Sequence, residues 1–190
     1  MSQKNTPSST VLCVDLDGTL IADDVSVKTF LHLLRKNPFS IFPAVAWFLT
    51  GGRARLKREI ALRVPLDPAT LNYRPEVMKF LHEEHQRGRT LILATASDQI
   101  YADLIARHVG LFAETLGSDG KTSLSSHRKR DALRQRFGKY SYMGNSSADL
   151  EVWRDAEEAI TVATPEGVLK KLKIFKTPAR IFPCGKTERN

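Results

Sequence analysis

The sequence is short of cysteine, of acidic residues relative to basic ones, and of long apolar runs. Its 190 residues include two cysteines, Cys13 and Cys184, too few and too far apart for a disulfide framework or a zinc site. The apolar run of residues 39–49 contains Pro43 and is shorter than the roughly 17–25 residues of a membrane-spanning helix. The polar start of the chain lacks the apolar core of a secretory signal. We therefore expect a cytoplasmic protein in which residues 1–9 form a disordered leader.

Basic residues outnumber acidic ones, 29 Lys and Arg against 21 Asp and Glu, which gives a formal net charge of +8 and a pI near 9.7. This charge suits an anionic partner such as a phosphate ester, a nucleic acid or an acidic lipid surface, without choosing among them. The most basic stretch, residues 128–136, contains no nucleic-acid motif and no interleaved aromatic residue. We therefore expect no nucleic-acid partner.

Short runs of strand-forming residues alternate with segments of helical periodicity along most of the chain. This alternation predicts a three-layer, Rossmann-like α/β fold with a mainly parallel sheet covered on both faces. We expect the α/β core to comprise residues 10–20 and 75–175, with a helical cap inserted at residues 21–74 and a loose basic tail at residues 176–190. The predicted strands are residues 10–16, 90–96, 112–116, 140–143 and 159–163.

The cap contains a stretch, residues 37–52, without any charged side chain. One interpretation is a helix buried within the cap. The other is a hairpin that dips into the membrane interface, because Trp47 and Phe48 lie close in sequence to Arg53. The second interpretation predicts a peripheral membrane contact through residues 37–58, and hence a cytoplasmic protein that associates with membranes.

Two aspartates follow the first predicted strand, in the sequence VLCVDLDGTL of residues 11–20. Asp15 and Asp17 are two residues apart, so their side chains leave the same face of an extended chain. Gly18 allows a sharp turn directly after them. Thr95 and Asn145 come at or just after the ends of later predicted strands, and ligands of parallel α/β sheets bind beyond those carboxyl ends. We therefore expect these side chains to meet in one site.

This string resembles the first signature of the haloacid dehalogenase (HAD) superfamily, whose members are mostly magnesium-dependent phosphatases that act through a phospho-aspartate. The resemblance implies that Asp15 is the nucleophile and a ligand of Mg²⁺. It implies that Asp17 protonates the leaving group, then deprotonates the attacking water, and supplies its backbone carbonyl to the metal. Two neighbouring carboxyl groups take such opposite roles only if their pKa values differ.

Later signatures of the family have counterparts in this chain. The sequence LILATAS of residues 91–97 resembles the second, which implies that Thr95 binds a phosphoryl oxygen, with Gly18 and Ala96 as further phosphate-binding residues. Lys129 fits the third, a lysine that pairs with the nucleophile and the phosphate. Three other basic residues are rivals for this role: Lys121, Arg128 and Arg130.

The fourth signature departs from the family pattern. It reads Gly-Asp-x-x-x-Asp in the family and GNSSAD at residues 144–149 here, so the implied metal ligands are Asp15, Asp17, Asn145 and Asp149. Asn145 offers a carbonyl oxygen but no charge, and we therefore expect weakened binding of Mg²⁺. A natural enzyme with a looser site, a domain that has lost activity and an engineered substitution all remain open.

A narrower resemblance links five stretches to the HAD-type domain that precedes some UbiA-like polyprenyl transferases. They are VDLDGTL (14–20), RKNP (35–38), GRARLK (52–57), VPLDP (64–68) and LATASD (93–98). The leading hypothesis is a magnesium-dependent phosphomonoesterase acting on a small or lipid- or prenyl-linked phosphate ester. The alternative is a catalytically weakened phospho-ligand-binding or regulatory domain that docks a membrane or a partner through its cap.

Overall fold

The computed structural model describes residues 10–183, which form one sheet of six parallel strands flanked by helices. The strands are β1 (Val11–Val14), β2 (Leu91–Asp98), β3 (Glu114–Ser118), β4 (Tyr140–Gly144), β5 (Ala159–Val162) and β6 (Arg180–Phe182). Their spatial order is β3-β2-β1-β4-β5-β6, and every neighbouring pair is parallel. The predicted parallel α/β fold is confirmed, and β1 lies inside the sheet.

The connections between strands contain α-helices and short 3₁₀ turns. The α-helices are α1 (Val25–Lys36), α2 (Ile41–Ala61), α3 (Pro75–Gln86), α4 (Gln99–Val109), α5 (His127–Phe137), α6 (Leu150–Asp155) and α7 (Glu166–Phe175). The 3₁₀ turns are Pro38–Ser40, Pro68–Thr70 and Ser147–Asp149. Within residues 10–183, no helix combines the length and the apolar character needed to cross a bilayer.

Neighbouring residues of β1 point alternately into two apolar cores. Leu12 and Val14 belong to the same core as Phe80 of α3, whereas Cys13 belongs to the core that contains Trp153 of α6. This alternation is the period of a strand, and burial on both faces explains why β1 is apolar throughout. Because β1 is also hydrogen-bonded to a neighbouring strand on each side, its carboxyl end holds the residues that follow it in a fixed position.

The cap exposes most of its apolar stretch. Within α2 the chain bends at Gly52, whose φ of +63° and ψ of −159° suit a residue without Cβ. Before this bend Phe42 and Leu49 are 70% and 76% exposed, whereas Ala44 is buried. The interpretation as a buried helix is therefore wrong for most of residues 39–51. Instead the cap has a small core of its own, formed by Phe30, Leu33, Trp47, Leu56, Ile60 and Val64.

The start of the predicted loose tail is ordered as a sixth strand. Residues Arg180–Phe182 pair with β5, with Arg180 opposite Ile160. The ring of Phe182 lies 5.5 Å from that of Phe80, and the guanidinium of Arg180 lies 4.7 Å above the Phe80 ring. These tertiary contacts hold a strand too short to be predicted from its own sequence. The predictions for residues 1–9 and 184–190 lie outside the described residues.

A buried arginine joins the amino-terminal ends of the strands on the side opposite the aspartates. The Arg89 guanidinium donates to Glu84 (2.8 Å), Glu158 (2.7 Å), Ser141 Oγ (2.7 Å) and the Thr10 carbonyl (3.1 Å). Burial acts to raise the pKa of Glu158, but hydrogen bonds from Arg89 and Ser141 outweigh it and leave that pKa below its ordinary value. The network therefore couples α3 to β4 and to the loop before β5.

We expect Arg89→Met to lower the free energy of unfolding by about 3 kcal/mol, because it removes a buried cation that donates charge-assisted hydrogen bonds to the buried Glu84 and the half-buried Glu158. Urea denaturation measures this loss. Arg134→Met is the matched control, since Arg134 is 71% exposed and its ion pair with Asp155 contributes at most about 1 kcal/mol. Equal losses in the two variants would contradict a structural role for the network.

The effect of Arg89→Met depends on pH in a defined direction. Because the pKa of Glu158 is lowered in the folded protein, its contribution is fully present above the unfolded pKa of about 4.3 and is lost as the pH falls through the folded pKa. The difference in stability between wild type and Arg89→Met should therefore shrink on acidification through that range. A difference that stays constant would show that it does not arise from this ion pair.

Candidate functional site

The predicted site residues surround one open cavity at the carboxyl ends of β1, β2 and β4. The cavity has a volume of about 410 Å³. Seven of the eight residues that the sequence singles out line it: Asp15, Asp17, Gly18, Ala96, Lys129, Asn145 and Asp149. The exception is Thr95, which is fully buried. The sheet topology thus brings together residues that are up to 134 positions apart, from 15 to 149.

Asp15 is the first residue after β1 and is held by both backbone and side-chain contacts. Its backbone N–H donates to the Met143 carbonyl at 2.9 Å, and its Oδ1 accepts from Lys129 Nζ at 2.6 Å. Among the described residues, Oδ2 has no hydrogen-bond donor. Burial raises the pKa of Asp15, with Lys129 opposing this and Asp149 adding to it. One carboxylate oxygen is therefore fixed by a cation, and the other is left for a ligand.

Lys129 lies in the first turn of α5 and is buried beneath the cavity. Its ammonium donates to Asp15 and, at 2.9 Å, to the Tyr142 hydroxyl. Burial acts to lower the pKa of Lys129, but Asp15 and Asp149 outweigh it and leave that pKa raised. The ammonium therefore stays charged. The geometry separates Lys129 from its three rivals, because Lys121 and Arg128 are exposed and Arg130 pairs with Asp131, Glu151 and Asp155.

Asp149 is buried, and both of its carboxylate oxygens accept hydrogen bonds from the protein. Oδ1 accepts from the Tyr142 hydroxyl at 2.7 Å. Oδ2 accepts from the backbone N–H of Asn145 (3.1 Å) and from the N–H and hydroxyl of Ser146, each at 2.8 Å. Asp149 thus fixes the loop after β4 and, through Tyr142, the position of Lys129. This use of its oxygens favours a positioning role over the direct metal coordination that the sequence implies.

Asp17 has neutral hydrogen-bond donors where Asp15 has a cation. Its Oδ1 accepts from the backbone N–H of Val25 at 2.8 Å, and its Oδ2 accepts from the Ser97 hydroxyl at 2.7 Å. Burial raises the pKa of Asp17, and these hydrogen bonds only partly oppose it. The two aspartates therefore differ in their surroundings: Asp15 is paired with a buried ammonium, and Asp17 accepts hydrogen bonds only from neutral donors.

Thr95 lies below the cavity rather than on its wall. Its Oγ1 accepts from the backbone N–H of Ser97 at 2.9 Å, and the side chain is fully buried. Ala96 lines the cavity in its place. Thr95 therefore helps to position Ser97, whose hydroxyl donates to Asp17, and a contact between the Thr95 hydroxyl and a ligand remains a prediction.

Gly18 and Asn145 are in close contact across the cavity. Gly18 has a φ of +75°, and a Cβ added there would lie 2.1 Å from Nδ2 of Asn145. Glycine is therefore required both by the backbone conformation and by the side chain that packs against it. The contact orients the Asn145 amide at the edge of the cavity, one residue beyond β4.

Three residues of the site have no clear signal in the sequence as catalytic partners. Lys57 of α2 lines the cavity and donates to the Ala96 carbonyl at 2.8 Å, yet in the sequence it is one basic residue of several. Tyr142 bridges Lys129 and Asp149, but in the sequence nothing distinguishes it from the other residues of a buried strand. Ser97 is recognisable only from its spacing of two residues after Thr95.

The oxygen atoms around the cavity fit a hard divalent cation, although the candidate ligand set contains a single carboxylate. Among residues 10–183, no cluster of three or more His, Cys, Asp and Glu side chains could hold a metal ion. Hard cations also accept carbonyl ligands, and the backbone carbonyl of Asp17 accepts no hydrogen bond within the described chain. With a carboxylate oxygen of Asp15 and the Asn145 amide oxygen, it gives an all-oxygen set with one formal negative charge.

Comparisons with known proteins give one family and one partial relative. A family model described as haloacid dehalogenase-like hydrolase matches residues 12–154. An uncharacterized protein of Sinorhizobium fredii (strain NBRC 101917 / NGR234) is 35% identical over 153 residues. These residues are 80% of this chain but 29% of that protein, so the chain spans less than a third of the relative's length.

Several solved structures share the fold at low sequence identity. A substrate-bound phosphoserine phosphatase has a TM-score of 0.62 at 13% identity and covers 93% of this chain and 94% of its own. A predicted phosphoglycolate phosphatase from Haemophilus somnus 129PT has a TM-score of 0.59 at 17% identity, covering 91% and 93%. A HAD family hydrolase from Salmonella enterica serovar Typhi has a TM-score of 0.63 at 14% identity, covering 89% and 67%.

We expect Tyr142→Phe to lower the free energy of unfolding by about 1–3 kcal/mol, because it leaves Lys129 and Asp149 each without one buried hydrogen bond. Tyr73→Phe is the matched control, since the Tyr73 hydroxyl is buried without a hydrogen-bond partner in residues 10–183 and its removal should be neutral or stabilising. Chemical denaturation of both variants measures the difference. Equal changes would show that the hydroxyl bridge does not support the ion pair.

Proposed function

Because this chain belongs to the haloacid dehalogenase-like hydrolase family, we propose that it is a magnesium-dependent phosphomonoesterase. Its substrate class is a small or lipid-linked phosphate ester, cleaved through a phospho-aspartate on Asp15. The single observation that supports this most is the state of Asp15, a buried carboxylate with Lys129 at 2.6 Å on one oxygen and no protein donor on the other within the described residues. Such an oxygen is suited to attack phosphorus.

The first step forms a bond between an Asp15 oxygen and phosphorus while the bond from phosphorus to the ester oxygen breaks. The departing alkoxide takes a proton from Asp17, so the alcohol leaves neutral. In the second step water attacks the same phosphorus, and the Asp17 carboxylate takes a proton from that water. Inorganic phosphate leaves and Asp15 regains its carboxylate, so the protein ends in its starting state.

The two aspartates are suited to these roles by their different partners. Lys129 stabilises the ionised form of Asp15 and screens the negative phosphoryl group as it approaches. Asp17 is half-buried, accepts hydrogen bonds only from neutral donors, and has a raised pKa, a direction that suits the proton donor to the leaving group. Acid–base work by paired carboxyl groups requires that their pKa values differ, and the different hydrogen-bond partners of the two aspartates are the basis we propose for that difference.

Three oxygen atoms would hold Mg²⁺: a carboxylate oxygen of Asp15, the backbone carbonyl of Asp17 and the side-chain carbonyl of Asn145. When bound, the ion supplies positive charge that screens the phosphoryl oxygens. Asn145 is neutral where the family pattern has an aspartate, so the affinity for the cation is reduced. Asp149 contributes through the loop and through Tyr142 rather than as a direct ligand.

Lys57 supports a substrate that is small and anionic. It is the cation that the cap contributes to the cavity wall, where its ammonium already donates to the Ala96 carbonyl at 2.8 Å. A phosphate ester in the cavity would lie between Lys57 on the cap side and Lys129 on the core side. The alternative function, a catalytically weakened domain that binds a phospho-ligand, is favoured by the missing charge at Asn145.

We expect Asp15→Asn to abolish phosphate release from a panel of phosphate esters in the presence of Mg²⁺, because the amide is not a nucleophile at phosphorus. We expect Asn145→Asp to lower the Mg²⁺ concentration for half-maximal activity by about tenfold, because it adds an anionic ligand. A colorimetric phosphate assay with a magnesium titration measures both effects.

Ser147→Asp is the matched control for Asn145→Asp, because it adds the same charge two residues further along the same loop at an exposed position. It should leave the magnesium dependence unchanged. Absence of phosphate release by both wild type and Asn145→Asp would reject the phosphatase. Calorimetric binding of inorganic phosphate in that case would assign the alternative function.

A further inference from the structure

The middle of the cap exposes several large apolar side chains that are close together in the sequence. We call this surface, residues 37–52, the cap tip. Phe39, Phe42 and Leu49 are 75%, 70% and 76% exposed, and Val45 and Phe48 are 49% and 48% exposed. Single exposed apolar side chains are ordinary on proteins, but clusters of this kind mark a surface that contacts an apolar partner. The cap tip is therefore a candidate surface for contact with an apolar partner.

The residues that border the cap tip are basic. Arg35 and Lys36 precede it, Arg53 and Arg55 follow it, and no acidic residue occurs between Asp24 and Glu59. Within the described chain Arg35, Lys36 and Arg53 form no salt bridge, so their charges are available. An apolar patch bordered by basic side chains is complementary to a lipid surface that has anionic headgroups over an apolar interior.

The length of the cap tip fits insertion parallel to a membrane surface rather than a crossing. The part of α2 before the bend at Gly52 has about eleven residues and a length of about 16 Å, roughly half of the apolar thickness of a bilayer. No helix within residues 10–183 is suited to span a membrane. The bend turns the basic second half of α2 away from the line of this apolar segment.

We propose that the cap tip docks onto an anionic membrane surface. Phe39, Phe42 and Leu49 enter the region between headgroups and acyl chains, while Arg35 and Arg53 contact the anionic headgroups. A second copy of the chain fits this surface less well, because a two-fold contact would bring the basic border of one copy against that of the other without acidic residues to offset it. Docking does not require any chemistry in the cavity.

Flotation of the full chain with vesicles tests the proposal directly. We expect binding to vesicles of phosphatidylcholine mixed with phosphatidylglycerol, weak binding to phosphatidylcholine alone, and a decrease with added salt because salt screens the headgroup attraction. The fluorescence of Trp47 should shift to the blue on binding. The second tryptophan, Trp153, is fully buried in the core and should not respond.

Two variants separate the apolar and the charged contributions. Phe42→Ser should reduce the vesicle partition coefficient about tenfold, because an aromatic side chain no longer leaves water. Arg53→Glu should reduce it about thirtyfold, because two units of charge change near the anionic surface. The matched controls on α7 are Ile174→Ser, where the native side chain is 83% exposed, and Lys173→Glu, also exposed. Both should bind as wild type does.

Three outcomes would overturn the proposal. They are no flotation with anionic vesicles, equal losses in the α7 controls and in the cap-tip variants, and a dimer that Phe42→Ser dissociates while no vesicles bind. The last outcome would assign the cap tip to a second copy of the chain. Circular dichroism of each variant shows whether it is folded, and the exposure of the substituted residues predicts that all of them are. Phosphatase assays of the same variants without vesicles should equal wild type, which keeps this test separate from that of the cavity.

Discussion

The buried ion pair between Asp15 and Lys129 is the interaction on which the rest of the site depends. Two charges removed from water are stable together only when their geometry is close and their remaining hydrogen-bonding groups are satisfied. Tyr142 and Asp149 supply those further contacts on the lysine side, and the position of β1 inside the sheet holds the aspartate. Consequently the lysine screens charge at one oxygen of Asp15 and leaves the other oxygen directed to the cavity.

The sequence predicts the fold and the location of the site because both follow from local patterns. The apolar run before Asp15 reads as a strand buried on both faces, and the carboxyl ends of parallel strands necessarily meet at one edge of the sheet. That single topological fact places Asp17, Ala96 and Asn145 together without any knowledge of contacts. The resemblance favours Lys129 over its three rivals, and the structure supplies the physical reason: Lys129 is buried against Asp15, whereas Lys121 and Arg128 are exposed.

The remaining features depend on tertiary contacts that no local pattern records. The apolar character of residues 39–49 indicates that contact of their side chains with water is unfavourable. It does not indicate whether the protein's own core or another molecule covers them. In the structure most of these side chains are exposed. Strand β6 has three residues and exists because Phe182 and Arg180 pack against Phe80. Tyr142 and Lys57 become site residues only once α5 and the cap are folded over the sheet.

The most direct measurement of the central claim is to locate the phosphoryl group during turnover. The protein, mixed with a phosphate ester and Mg²⁺, is quenched rapidly in acid, digested and examined by peptide mass spectrometry. The account predicts a phosphorylated peptide containing Asp15, with the modification on that residue, which disappears in Asp15→Asn. Release of phosphate without any labelled peptide, or a label on another residue, would contradict it.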